Sequence, residues 1–351
     1  MKLLKLLLLT PLALAQSPTF QADTRVVEVT VVATDSGDSP VANLRKSDLR
    51  LFDNGLEQTI ASFEKIGSVG AAVNPDAATA GSTGRQAKGR SAPRLSIILL
   101  DALNTSRSDQ IYGRKAISEM LRSLPQGEDR IAIFALGEEL HLLHGFTTST
   151  PSLRAAVDGY EGEQPYFGII GAGHFTEKFS LTGPANEAST PDSSKFGDQR
   201  LAVTLAAFSE IAQNMRDTPG VKNLLWVTAG YPPPEDHRGI QDATRELAAS
   251  KVMLYPVDAR GLMVNALAAN LNIASMEEVA EQTGGRAFHD GNNLAAFARA
   301  ALDDSREGYL LTYTPSHYKQ DGSTHQLQLK TSRKGINLRY RPGYLADSPA
   351  R

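Results

Sequence analysis

The sequence contains no cysteine. That excludes disulfide bonds and a lipid-bearing cysteine, so the chain is expected to be held together by its hydrophobic core alone. An excess of charge of one sign is missing as well. Lys and Arg total 36 against 39 Asp and Glu, a formal net charge of -3 over 351 residues. So small a balance leaves no electrostatic footprint for nucleic acid or an anionic membrane surface. No apolar run is long enough to cross the ~30 Å of a bilayer core, so no membrane anchor is expected. Catalytic signatures are also lacking: there is no Gly-x-Ser-x-Gly elbow, no Walker A loop and no His-Glu-x-x-His. The glycines Gly168, Gly171 and Gly173 lack the complete dinucleotide spacing and follow no clear strand, so they read as loop. His141 and His144 fall three apart in a strand, where they point to opposite faces and do not make a zinc pair.

What is present is an ordinary globular composition, 41% hydrophobic and 21% charged, long enough for one large domain and a smaller one. Residues 1–15 carry two lysines, a short apolar core and a small-x-small ending at Ala13 and Ala15. They read as a secretory signal peptide, with the mature chain starting near Gln16 and a secreted or periplasmic destination. Residues 16–66 form an N-terminal β module. Its strands are 25–33, 49–52 and 59–66, the last two joined by a turn at Asp53, Asn54 and Gly55. Residues 67–93, rich in Gly, Ala, Ser and Thr, read as a flexible linker.

Residues 94–106 organise the remainder. Leu95, Ile97, Ile98, Leu99 and Leu100 predict a strand buried on both faces, emptying into Asp101, Asn104, Thr105 and Ser106. An acid and hydroxyls at the carboxyl end of such a strand are how an open parallel sheet presents a ligand site. A helix is predicted over 108–124 with Ile111, Ala116, Ile117, Met120, Leu121 and Leu124 on one face. Strands at 130–136 and 139–146, separated by two residues, imply one antiparallel edge. Thr150 and Pro151 cap a short helix, and 159–196 is a long surface insertion without period. Helices at 198–215 and 238–250 alternate with strands at 223–228 and 252–257. A helix capped by Ser275, a short strand at 286–289 and a helix at 293–307 complete the pattern. Strand alternating with helix in this way predicts a doubly wound, mostly parallel α/β sheet spanning 94–307. Strands at 309–313, 325–330 and 336–340, within 308–346, are expected to pair with the N-terminal module as one β-sandwich. The α/β domain is then inserted between the two halves.

Several ordered runs carry a resemblance over nearly the whole chain after residue 15. They are LLDALNT at 99–105, GEDRIAIFALG at 127–137, PGVKNLLWVTAGYP at 219–232, LYPVDARGL at 254–262, AEQTGGRAF at 280–288 and RYRPGY at 339–344. Together they resemble the bacterial secreted proteins with a von Willebrand factor type A-related domain, a family named for acidobacteria. The resemblance implies the type A, or integrin I-like, fold and extracytoplasmic binding.

Type A domains often hold Mg²⁺ in a metal-ion-dependent adhesion site. Its pattern is Asp-x-Ser-x-Ser after the first strand, a loop Thr, and an Asp after the fourth strand. The ion wants near-octahedral oxygen ligands, which explains the residue types. Asp101 matches the first position and Thr105 stands for the second serine. Leu103 and Ala229 fall where a serine and an Asp belong, so the site reads as degenerate, and an Asp101 hydrogen-bonded to nearby loop amides is the plainer expectation. Thr190, Ser193 and Ser194 are the candidates for the loop ligand, with Asn104, Glu235 and Asp236 as compensating groups. The expectation is therefore a secreted adhesion-type module that binds a protein or cell-envelope partner without a cofactor, through Asp101, Asn104, Thr105, Tyr231, Glu235 and Asp236. Tyr231 and the three prolines after it read equally as an exposed lip or as a rigid loop that only spans two elements. Asp258 and Arg260, at the end of another strand beside the crevice, read as a fixed ion pair or helix-cap contact, with a functional role as the alternative. The alternatives are a secreted hydrolase whose site lies in the 159–196 insertion, and a scaffold that makes its contacts through the terminal sandwich.

Overall fold

The computed structural model describes residues 25–66, 94–125, 127, 129–163, 193–231, 233–262, 267–304, 308–317 and 321–346. The expected signal peptide, the linker at 67–93 and most of the 159–196 insertion, with Thr190 and the glycines from Gly168 to Gly173, lie outside the described residues.

The first strand of the α/β layer, β5 (Arg94–Asp101), lies at the centre of a five-stranded sheet. It pairs in parallel with β6 (Asp129–Leu136) on one side and β8 (Lys222–Thr228) on the other. The edges are β7 (Leu140–Thr147), antiparallel to β6, and β9 (Val252–Asp258), parallel to β8. This is the expected doubly wound sheet with one reversed edge. Two-residue periodicity divides the apolar run of β5 between two cores. Ile98 and Leu100 meet Ile117 and Leu121 of α1 (Arg107–Ser123), Leu153 of α2 (Thr150–Gly159) and Leu302 of α6 (Leu294–Asp304). Ile97 and Leu99 meet Phe208 of α3 (Ser193–Met215), Leu247 of α4 (Arg238–Ala249) and Met276 of α5 (Leu267–Thr283). All four side chains of β5 are buried, and each burial stabilises by about 2 kcal/mol.

The remaining strands form two four-stranded antiparallel sheets. One has β1 (Val27–Asp35) between β12 (Ile336–Arg339) and β10 (Gly308–Tyr313), with β4 (Ile60–Lys65) at its edge. The other orders β13 (Gly343–Leu345), β11 (Thr324–Thr331), β2 (Leu49–Asp53) and β3 (Leu56–Gln58). Each sheet mixes strands from both ends of the chain, and Val29, Val31, Leu51, Leu311 and Tyr313 share one core between them.

Several local expectations are corrected. The hairpin after β2 closes through Asn54 and Gly55, both at positive φ as a two-residue turn requires. Its return strand is β3, however, and the chain then crosses to the other sheet as β4. Ser275 caps nothing: it lies inside α5, its hydroxyl donating to the Leu271 carbonyl one turn back. The cap of α2 is Ser149. Residues 286–289 reduce to a single bridge between Phe288 and Val257. Ile111 is solvent-exposed; Gln110, Gly113, Ala116 and Ile117 form the buried stripe of α1. Gly113 is required there, because a Cβ would press on the Val227 side chain at 2.9 Å.

Candidate functional site

From β5 the chain goes out through α1 to β6, whereas from neighbouring β8 it goes out through α4 to β9 on the other side. The crevice beyond the carboxyl ends of β5 and β8 is thus the topological switch point, where open α/β sheets bind ligands. Asp101 and Thr228 end these two strands.

Asp101 is 2% exposed. Its Oδ1 accepts the backbone N–H of Asn104 at 2.9 Å. Its Oδ2 accepts three donors: Asn104 Nδ2 at 2.9 Å, Trp226 Nε1 at 3.0 Å and the Thr228 hydroxyl at 2.7 Å. Thr228 is free to donate because its oxygen accepts the Gly230 N–H. Burial pushes the Asp101 pKa up, and the bonds from Asn104, Thr228 and Trp226 oppose that push. Asn104 extends the network, its Nδ2 also donating to Thr204 of α3 at 2.9 Å. The Thr105 hydroxyl accepts the Ala229 N–H at 3.1 Å.

These residues do not fit a divalent cation. Mg²⁺ is bound by oxygens that accept nothing else along the bond to the metal, and it holds a near-octahedral set of them. Here every partner of Asp101 is a donor, so the positive ends of N–H and O–H dipoles occupy the place of the ion. Leu103 is packed in the core beside Phe208, and Ala229 offers no side-chain oxygen. Ser193 and Ser194 open α3. Among the described residues no group of three or more His, Cys, Asp or Glu side chains is placed to hold a metal ion.

Of the six residues expected to bind a partner, four are buried. Asp101, Asn104 and Thr105 bond to one another's loops, and Tyr231 is 1% exposed. The lip expected at Tyr231 is therefore corrected: its ring lies 6.0 Å from that of Trp226, which is itself edge-on to Phe208. Burial pushes the Tyr231 pKa up. Glu235 and Asp236 are exposed, Asp236 being held by the Arg238 guanidinium at 2.7 Å. Asp258 and Arg260 form a forked, buried pair with contacts of 2.8 and 2.7 Å, which fixes the loop after β9.

The sequence reading missed Gln110, Arg114 and Tyr160, which close the crevice on its α1 side. Gln110 Nε2 donates to the carbonyls of Ala102 (3.1 Å), Thr105 (2.8 Å) and Glu163 (3.1 Å). Arg114 donates to the Tyr160 carbonyl and lies over its ring. With Leu100, Asp101, Ala102, Thr105, Val227 and Ala259 they line a cavity of about 10 Å³, the space of roughly one water molecule. The signal that would have found Gln110 is an amide on the buried stripe of an amphipathic helix.

No family profile matches the sequence, and no curated protein matches it. The chain is similar in structure to an aerotolerance-related membrane protein from Bacteroides fragilis, 15% identical with a TM-score of 0.40 over 61% of this chain and 99% of that one. Similar too is the conserved hypothetical protein BatB from Bacteroides thetaiotaomicron, at 13% identity and a TM-score of 0.36 over 62% and 98%. Proximal thread matrix protein 1 of the mussel byssus, in a structure with a zinc-occupied MIDAS motif, is 9% identical with a TM-score of 0.36, over 61% of this chain and 48% of that one.

Proposed function

We propose that the protein is a secreted, non-enzymatic interaction module of the von Willebrand factor type A-related kind, which engages a protein or cell-envelope partner at the strand carboxyl ends without a cation. In this reading residues 94–307 are a type A-like domain inserted into the terminal β module. The carrying observation is that four of the seven exposed large apolar side chains among the described residues lie around that edge, the others being Val26 and Leu56 of the β module and Leu142 of β7. Ile111 (53% exposed) and Tyr112 (38%) lie in the second turn of α1, Leu262 (54%) follows β9, and Leu271 (45%) lies in the first turns of α5, next in sequence to Asn272, which donates to the Ala229 carbonyl. Tyr112 and Leu262 both bond Asn292, which places them side by side. Apolar groups gathered at one edge mark an interaction surface, whereas singly scattered ones need no explanation. Among the described residues no helix is long and apolar enough to cross a membrane.

The test is capture from envelope extracts with the wild type and with the Tyr112→Glu/Leu262→Glu double variant, each in EDTA and in Mg²⁺. Capture of the same protein band in both buffers, lost in the variant, is the expected result. Capture indifferent to the two substitutions, or turnover in a broad hydrolase screen, overturns the reading.

A further inference from the structure

The four residues that follow α2 form a strap: Tyr160 lines the crevice cavity, Gly162 passes over Gln110 and Arg114 of α1, and Glu163 reaches Gly137 between β6 and β7. Three features seat them. Gln110 uses one amide nitrogen to hold the strap's Glu163 carbonyl together with the Ala102 and Thr105 carbonyls of the loop after β5. Arg114 holds the Tyr160 carbonyl at the strap's other end and covers its ring. Glycines make room at both crossings. A Cβ on Gly162, which adopts φ +81°, would overlap Gln110 Oε1, and one on Gly137 would overlap the Glu163 carboxylate. That carboxylate is 3.9 Å from His141 Nε2. The chain thus presents its own main chain and one acid to the edge at which a partner is proposed to dock.

The closed strap is also imperfectly satisfied. Gln110 Oε1 and the Tyr160 hydroxyl are buried without a hydrogen-bond partner, and burial with the nearby Glu163 charge pushes the Tyr160 pKa up to about 12. Lifting the strap would hydrate both atoms, so part of the cost of opening is returned. Segments of this kind open locally, far below the free energy of global unfolding.

We propose that Tyr160, Glu161, Gly162 and Glu163 form an autoinhibitory latch, which covers the switch-point crevice and opens as a local unit to admit the partner. The inference rests on the reading of this edge as the recognition face. Its test does not involve the partner, so the two can fail separately.

Because the chain has no cysteine, Ala102→Cys places a single thiol beneath Tyr160. Its labelling by a thiol reagent is followed in urea concentrations below the unfolding transition. A latch predicts labelling faster than global unfolding, with a shallow urea dependence, and an acceleration of at least tenfold when Gln110→Ala is added. A labelling rate that tracks global unfolding with its full urea slope in both backgrounds overturns the proposal. General destabilisation by Gln110→Ala would raise the rate but keep that full slope, so slope separates a latch from a weakened fold. Should Ala102→Cys not fold, Thr105→Cys and hydrogen exchange over residues 98–106 of the wild type read the same opening.

Discussion

Replacing Asp101 by alanine separates a structural carboxylate from a metal ligand by the sign of its effect. An empty cation cage holds its acids in mutual repulsion or solvent, so deleting one costs little and often stabilises the apo protein. In this crevice the acid is the acceptor for four donors. Asn104 Nδ2 keeps Thr204 and the Thr228 O–H, whose oxygen still accepts from Gly230, can rotate away, but the fixed Asn104 N–H and Trp226 Nε1–H lose their acceptor. Two orphaned buried donors cost about 1–3 kcal/mol each. Relief of a buried charge offsets part of this, leaving a net loss of about 3 kcal/mol, in line with other broken buried networks. At roughly 2–4 °C per kcal/mol, Tm should fall by about 6–12 °C. Trp226 is the one tryptophan of the sequence, so fluorescence-detected urea unfolding reports on this site directly. The loss should be the same in EDTA and in Mg²⁺. A variant as stable as the wild type in EDTA, together with a Mg²⁺-dependent stabilisation present only in the wild type, would refute the reasoning.

Asp101→Asn tests the same site through pH. Burial raises the folded pKa above the unfolded value, so between the two the folded state holds the extra proton and wild-type stability falls as pH rises. Measured against Asp101→Asn, whose side chain does not titrate, the wild type should therefore lose ground from about pH 4 upward; a flat difference would refute this. Lys222 caps the end of α3, donating to the Met215 and Thr218 carbonyls at 3.1 and 2.6 Å, and burial lowers its pKa to about 8. Between about pH 8 and the ordinary lysine value the unfolded state holds the extra proton, so stability should rise with pH relative to Lys222→Met, as urea titrations in that window would show. Arg339 of β12 grips buried Asp304 of α6 with contacts of 2.5 and 2.7 Å. Arg339→Met strands that carboxylate and should cost about 3–5 kcal/mol in chemical denaturation, and a loss below 1 kcal/mol would contradict the assignment.

How much of this was legible follows from which interactions are periodic. The α/β sheet was, because β5 and β8 are apolar on both faces and the helices between strands repeat their apolar positions every three to four residues. The reversal at β7 was, because a connection of two residues in the sequence reading, three in the structure, is too short for a parallel crossover. Sheet switching between Gln58 and Ile60 was not, since a single residue, Thr59, separates the two strands and only packing across the sandwich divides them. Tyr231 misled because an aromatic between glycine and prolines looks like an exposed loop, whereas the Trp226 ring offers it a shelf from the preceding strand. In the site, the absence of ligand oxygens at Leu103 and Ala229 was readable, and so was a loop amide on Asp101, which Asn104 supplies. The donors Trp226 and Thr228 were not, because they reach Asp101 from a neighbouring strand 125 and 127 residues away with no shared spacing. Polar satisfaction is set by three-dimensional neighbours, and a single chain carries no periodic trace of them.

The placement of the β-sandwich gives the crevice its significance. Lys251, immediately before β9, pairs with Glu28 of β1, Arg286 pairs with Asp38, and Asp304 pairs with Arg339. Lys251 lies at the amino end of β9 and Asp304 at the end of α6, whereas Arg286 reaches Asp38 from beside the middle of β9. Asn223, near the start of β8, bonds the Ala301 carbonyl in the last turn of α6 and so fixes that end of the helix there. The chain also enters β5 and leaves α6 at this end, which is why strands from both termini can pair with each other. An eight-residue β5 spans roughly 26 Å at about 3.3 Å per residue, so the sandwich is held that far from the switch point. A module anchored at its amino edge by ion pairs carries Ile111, Tyr112, Leu262 and Leu271 toward the opposite edge, away from the sandwich. Asp101 accepts indole, amide and hydroxyl donors, so in the proposed reading recognition at that edge draws on those apolar side chains and on what the proposed latch uncovers.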